Sequence, residues 1–162
     1  MANGLRVAYI LQRFPHLRQT YILREMDWMR RFGVDLRIYS LLRPERDPVH
    51  EQVAALMPLV RYAPLLSWGI LRAQAAPLAR APWAYLRALA RVARQTWREP
   101  GVLVRALAVF PAAVYLAREM AAEGVQHVHA HFAWLEAIAA GVVRDLEGIP
   151  FTVCPHAFDL YS

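Results

Sequence analysis

Lysine is absent from this 162-residue chain, and cysteine occurs once, at Cys154. The first absence excludes a Walker-type phosphate lysine, a Schiff-base lysine and a lysine general base. The second excludes an intrachain disulfide and a cysteine-rich zinc site, and fits a reducing compartment. Arginines and prolines interrupt every apolar run before the roughly 18 residues needed to span a bilayer. The opening MANGLRVAYILQRF has no basic segment ahead of a long apolar region, so it reads as a strand and not a signal peptide. A cytoplasmic protein, or one peripheral to a membrane, is expected.

What is present argues for a folded domain. Hydrophobic residues make up 57% of the chain and charged residues 20%, enough apolar surface to offset the entropy of ordering one core over residues 1–162. All nineteen basic residues are arginine, against 13 acidic ones, so the net charge of +6 points to an acidic partner: phosphate, nucleic acid or an anionic membrane. No reading helix or base-stacking motif accompanies the charge, so nucleic acid is not the expected partner.

Residues 5–11 (LRVAYIL) form a short β-branched and aromatic run, the pattern of a buried parallel strand. From Thr20 to Phe32, Ile22, Met26 and Met29 recur at helical spacing, with Thr20 as a cap and Gly33 just past the end. Residues 34–41 alternate as a second strand near a sheet edge, completing a parallel crossover unit. Residues 43–100 then hold seven prolines, nine arginines and three tryptophans, which predicts a helical, arginine-rich insertion. Within it, Leu86, Leu89, Ala90, Ala93 and Trp97 fall on one helical face and Arg87, Arg91, Arg94 and Arg98 on an adjoining one. A further helix over 102–123, with Pro111 as a kink or break, leads to a strand at 125–132, a helix at 133–147 and a strand at 151–154. The expected class is α/β, a Rossmann-like parallel sheet flanked by helices.

Ligands of open parallel sheets bind beyond the carboxyl ends of the strands. Three loops qualify. The first carries Arg13, Phe14, His16 and Arg18 ahead of Thr20, a basic loop at a helix N-terminus that suits an anion. An ordinary solvated loop is the alternative, and without G-x-G-x-x-G a dinucleotide site is not expected. The second follows His127, His129 and His131, which strand alternation puts on one face. With no carboxylate or thiolate at an evident spacing, a metal is not expected there, and His131, nearest the carboxyl end, is the one to face a ligand. The third is HAFDLY, where His156 and Asp159 can share a cleft; alternatively, they cap the strand end and a following helix.

Two segments, VAYILQRFPHLRQTYILREM and HVHAHFAW followed by GIPFTVCPHAFDLY, carry a family likeness. In the first, Arg13, Phe14, Pro15, Thr20, Tyr21, Ile22, Arg24 and Glu25 hold the match; in the second, the histidine-alanine-histidine-phenylalanine strand and the histidine-x-x-aspartate-aliphatic-tyrosine motif. Together they resemble the N-terminal half of family-4-type bacterial glycosyltransferases of exopolysaccharide and colanic acid synthesis. That resemblance implies a GT-B enzyme, with this half holding mostly the acceptor and a C-terminal half, absent from this sequence, holding the nucleotide sugar. It implies sugar transfer with retention from a nucleotide diphosphate sugar to a lipid-linked or growing glycan, with no metal and no other cofactor. By the motif match, His156 contacts the transferred sugar with Asp159 beside it, and Glu25 and residues 13–19 border the acceptor. The glycine pair that many relatives carry after the first strand is missing, and Pro155 replaces a small residue before the histidine. The chain ends eight residues past Cys154, which reads as an incomplete domain, inactive alone. The basic insertion, through Trp83, Arg87, Arg91, Arg94 and Trp97, is expected to meet an anionic membrane at the inner face of the cell membrane.

Overall fold

The computed structural model describes residues 4–16, 20–44, 51–64 and 67–156. Strand β1 (Arg6–Arg13), helix α1 (Thr20–Arg31) and strand β2 (Asp35–Leu42) form the first crossover. A short helix α2 (Glu51–Ala54) and a 3-10 turn at Met57–Leu59 lead to β3 (Val60–Tyr62). Helices α3 (Trp68–Arg80), α4 (Pro82–Thr96) and α5 (Pro100–Ala122) follow, then β4 (His127–His131), α6 (Leu135–Glu147) and β5 (Phe151–Cys154). All neighbouring strands pair in parallel, in the order β3-β2-β1-β4-β5. The expected α/β parallel sheet is present.

Alternation divides the sheet into two unlike faces. Val7, Tyr9 and Leu11 of β1, with Leu36 and Ile38 of β2, pack on Ile22, Leu23 and Met26 of α1. Ala8, Ile10, Tyr39, Leu41, Val128 and Ala130 point the other way, into a layer built by α4, α5 and α6. That second layer is alanine-rich: Ala106, Ala113, Ala117, Ala139 and Ala140 are all fully buried, which lets α5 and α6 approach closely. Helices α1 and α6 each stop at a glycine in the left-handed region, Gly33 with φ 83° and Gly148 with φ 72°.

Three expectations need adjustment. The arginine-rich segment is helical, but it also supplies β3, the edge strand, which leaves β2 one place in from the edge. The buried stripe of α4 is Ala88, Val92 and Thr96, with Tyr85 and Leu89 against it; Leu86, Ala90 and Trp97 are exposed. The predicted face is thus one residue, about 100°, out of phase. Finally, α5 runs through Pro111 as one helix of 23 residues. It is long and apolar enough to cross a membrane by composition, yet Phe110, Val114, Leu116 and Met120 are buried in the second core.

Candidate functional site at the carboxyl edge of the sheet

The chain runs from β1 outward through β2 to β3, then crosses back to place β4 and β5 on the other side of β1. The order therefore reverses between β1 and β4, and a crevice at their carboxyl ends is the place where such sheets hold ligands. Register fixes what lines it. Val7 pairs with His127 and Tyr9 with His129, while His129 pairs with Thr152 and His131 with Cys154. All of these side chains share the α1 face, where α1 adds Glu25.

Glu25 is the junction of the group. Tyr9 OH donates to its Oε1 at 2.7 Å, and the same oxygen lies 3.4 Å from His131 Nε2 and 3.8 Å from His129 Nε2. His131 is 1% exposed, and among the described residues its Nε2 faces only the Glu25 oxygen, an ion-pair partner too poorly aligned for a full hydrogen bond. His131 Nδ1 lies 3.3 Å from His156 Nε2, with the two rings stacked at 5.6 Å and 19°. Burial lowers the basicity of both His131 and His129 below the ordinary imidazole value, with the Glu25 carboxylate opposing it. Burial, followed by the hydrogen bond to Glu25, pushes the Tyr9 hydroxyl far above its ordinary range, so it stays a proton donor. His127 Nε2 and His129 Nδ1 both meet Thr152 Oγ1, at 3.0 and 2.8 Å. One hydroxyl donates only once, so at least one of the two rings presents an N–H to Thr152 Oγ1.

The backbone at this edge is held from beneath. Phe14 N donates to Ser40 Oγ at 3.0 Å, and Tyr62 OH donates to Phe14 O at 3.0 Å. Ser40 is fully buried, and leaving the Phe14 N–H unpaired there would cost about 1–3 kcal/mol. Gln12 N donates to Oε1 of the buried Glu136, at 3.1 Å, in the first turn of α6. Phe132, directly after β4, has φ 76°, and its N donates to Cys154 O at 3.0 Å. A bulky residue held left-handed is strained by about 1–3 kcal/mol, and here the strain aims its ring at His156, 4.6 Å away between centroids.

Of the residues singled out by sequence, Glu25, His131 and His156 come together. Tyr21, on α1, joins them with its ring 5.1 Å from that of His156. Thr20 opens α1, and His16 is exposed in the first loop; Arg13, which ends β1, donates to Arg43 O at 3.0 Å. Phe14 departs from expectation: it is 2% exposed and belongs to the α1-side core, so it anchors the loop and does not offer its ring to a ligand. Arg18 and Asp159 lie outside the described residues. The premise that the histidines lack a nearby carboxylate or thiolate is also corrected. Glu25 from α1 and Cys154 from β5 both bring ligand-type atoms to within 4.8 Å of His131. Tyr9, Thr152, Phe132 and Glu136 went unnoticed in the sequence; Tyr9 was within reach of strand parity, since it alternates with Val7 and Leu11. Arg91, expected at a membrane, is paired with Asp145 at 2.7 Å. No protein-family model, curated protein or solved structure matches this chain.

Proposed function

We propose that this chain is the acceptor-side half of a two-domain glycosyltransferase. In this reading the enzyme transfers a sugar, with retention, from a nucleotide diphosphate sugar to a lipid-linked or growing polysaccharide. The observation that supports it is the meeting of Glu25, His131 and His156 in one cluster at the carboxyl edge of the sheet. These residues come from the two separate segments whose motifs resemble that enzyme family, and such convergence has no purely local cause. The His131 and His129 imidazoles, kept neutral by burial, a carboxylate and a tyrosine hydroxyl are the donors and acceptors that sugar hydroxyls need. Titration of the isotopically labelled chain with a lipid-linked oligosaccharide should shift the amides of residues 13, 14, 16, 129–132 and 156. A nucleotide diphosphate sugar alone should move them little, because its main site is in the other half. The reverse pattern would assign this domain to the donor and sink the reading.

The outer surface of α4 supports attachment to an anionic membrane, whether the domain serves catalysis or acts as a non-catalytic surface module. Trp83, Arg87, Ala90, Arg94 and Trp97 form one exposed stripe, with the two tryptophans 77% and 62% exposed. Indole rings favour the headgroup boundary and guanidinium groups meet lipid phosphate. Each arginine near an anionic surface contributes about 1 kcal/mol. Substituting Arg87 and Arg94 together with glutamine should therefore weaken binding to anionic vesicles roughly thirtyfold at low salt. Arg91 is left in place because its loss would break the pair with Asp145. Equal co-sedimentation of wild-type protein with neutral and anionic vesicles would end the electrostatic account.

A further inference from the structure

Three ligand-type atoms, from Glu25, His129 and His131, lie close together at the carboxyl edge of the sheet. Glu25 Oε1 lies 3.4 Å from His131 Nε2 and 3.8 Å from His129 Nε2, and one ligand atom from each residue falls within 4.8 Å of the other two. A zinc ion with bonds of about 2.05 Å sets its tetrahedral ligands about 3.3–3.4 Å apart, so the spacing already approaches a coordination shell. Each imidazole presents Nε2 to the Glu25 carboxylate and is held through its other nitrogen, His129 by Thr152 Oγ1 at 2.8 Å and His131 by His156 Nε2 at 3.3 Å. Metal-binding histidines are oriented in this way, by an outer partner on the nitrogen that does not ligate. The carboxylate is steadied too, by Tyr9 OH at 2.7 Å. The decisive observation is His131 Nε2, buried and, among the described residues, facing only the Glu25 oxygen at 3.4 Å, too poorly aligned to satisfy it as a hydrogen bond. A buried polar atom left so is costly, and a cation between it and the carboxylate satisfies both.

We propose that Glu25, His129 and His131 form a binding site for one divalent zinc ion, three protein ligands leaving a fourth position open to water or to a ligand oxygen. Two nitrogens and one oxygen suit zinc and not magnesium, which requires six oxygen-rich ligands in an octahedron. Glu25 is 42% exposed, so an ion has a path from solvent on the α1 side. The other group of potential ligands, His131, Cys154 and His156, shares His131 but draws on its Nδ1 side. It supplies the outer support for His131 and not the zinc shell. The inference goes beyond the glycosyltransferase proposal, whose family resemblance implies no metal: an ion would occupy Glu25 and His131 Nε2 and leave His156 and the open fourth position to meet a ligand oxygen, and titration with zinc alone tests it without any sugar.

The test is calorimetric titration of the full chain, freed of metal by a chelator, with zinc chloride alone. One zinc per chain is expected, with a rise in Tm that the chelator reverses. Glu25→Gln and His129→Gln, both on partly exposed residues and so safe for folding, should each weaken binding more than about 100-fold. Thr152→Val, which removes only the outer partner of His129, should weaken it about 10–100-fold. His127→Gln should leave it unchanged. The tetrahedral absorption bands of cobalt substituted at the site should disappear in Glu25→Gln. Absence of zinc binding by the folded wild-type chain would overturn the proposal. So would affinity that survives both Glu25→Gln and His129→Gln but falls in Cys154→Ser.

Discussion

Replacing Phe110 with alanine should destabilise the whole domain by about 3–5 kcal/mol. Phe110 is 2% exposed in the core formed by α4, α5, α6 and the sheet, and its ring meets Tyr85 of α4 edge to face at 5.3 Å and 88°. That contact adds about 0.5–1.5 kcal/mol beyond burial. Tyr85 in turn donates to Gln74 Oε1 at 3.0 Å, and Gln74 Nε2 donates to Pro111 O at 3.1 Å, so α3, α4 and α5 are tied through one polar bridge. A cavity at Phe110 is therefore felt by all three helices. For a domain of this length the loss corresponds to roughly 6–20 °C in Tm. Far-ultraviolet dichroism and tryptophan fluorescence should report one shared, shifted transition. Phe32→Ala, on a side chain that is 78% exposed, should change stability by no more than about 0.5 kcal/mol. Should Phe110→Ala melt the arginine-rich helices while the sheet keeps its original Tm, those helices would be an appendage and not a layer of the core.

The second large effect concerns chemistry. In the two-domain glycosyltransferase proposed above, His156→Ala is expected to lower kcat/KM by about 10²–10³. The position argues for it. His156 lies two residues past β5, stacks on His131, and is flanked by the rings of Tyr21 and Phe132. Those aromatic walls fix its plane while leaving it partly exposed at the mouth of the crevice. A side chain so placed contributes little to the core, so Tm should stay nearly unchanged. His156→Gln, which keeps a hydrogen-bond donor, should recover part of the activity, separating recognition of a hydroxyl from proton transfer. Transfer within about threefold of wild type in His156→Ala would move the reacting centre elsewhere.

Much of this architecture was legible from residue spacing. Ile22, Met26 and Met29 marked α1, Gly33 and Gly148 marked helix ends, and the runs at 5–11, 34–41 and 151–154 marked strands that the sheet contains. Strand β3 was not legible, because Val60–Tyr62 is too short to show a period and is defined by its pairing with Ile38–Ser40. The face of α4 was misjudged because its buried stripe is Ala88, Val92 and Thr96. Hydrophobic labels weigh leucine and tryptophan over alanine and threonine, whereas close packing on α5 selects small side chains, and Thr96 satisfies its hydroxyl on Val92 O at 2.9 Å. The three histidines of β4 were legible as a shared face, but their partners were not. Glu25 is more than a hundred residues from His131, and only the seating of α1 over β1 brings the two together.

The uneven cover of the sheet has a consequence for how this domain can diversify. On the α1 face, β1 and β2 are sealed by apolar packing, while β4 and β5 present His127, His129, Thr152 and Cys154, none of them fully buried. The opposite side of the same two strands carries Val128 and Ala130 in the core, with Phe151 and Val153 packed against it. One side of β4 and β5 is thus apolar and packed, and the other is polar and partly open. Substitutions on the polar strip leave the α5 and α6 layer untouched, so natural variation can reshape what the crevice accepts without unseating the fold.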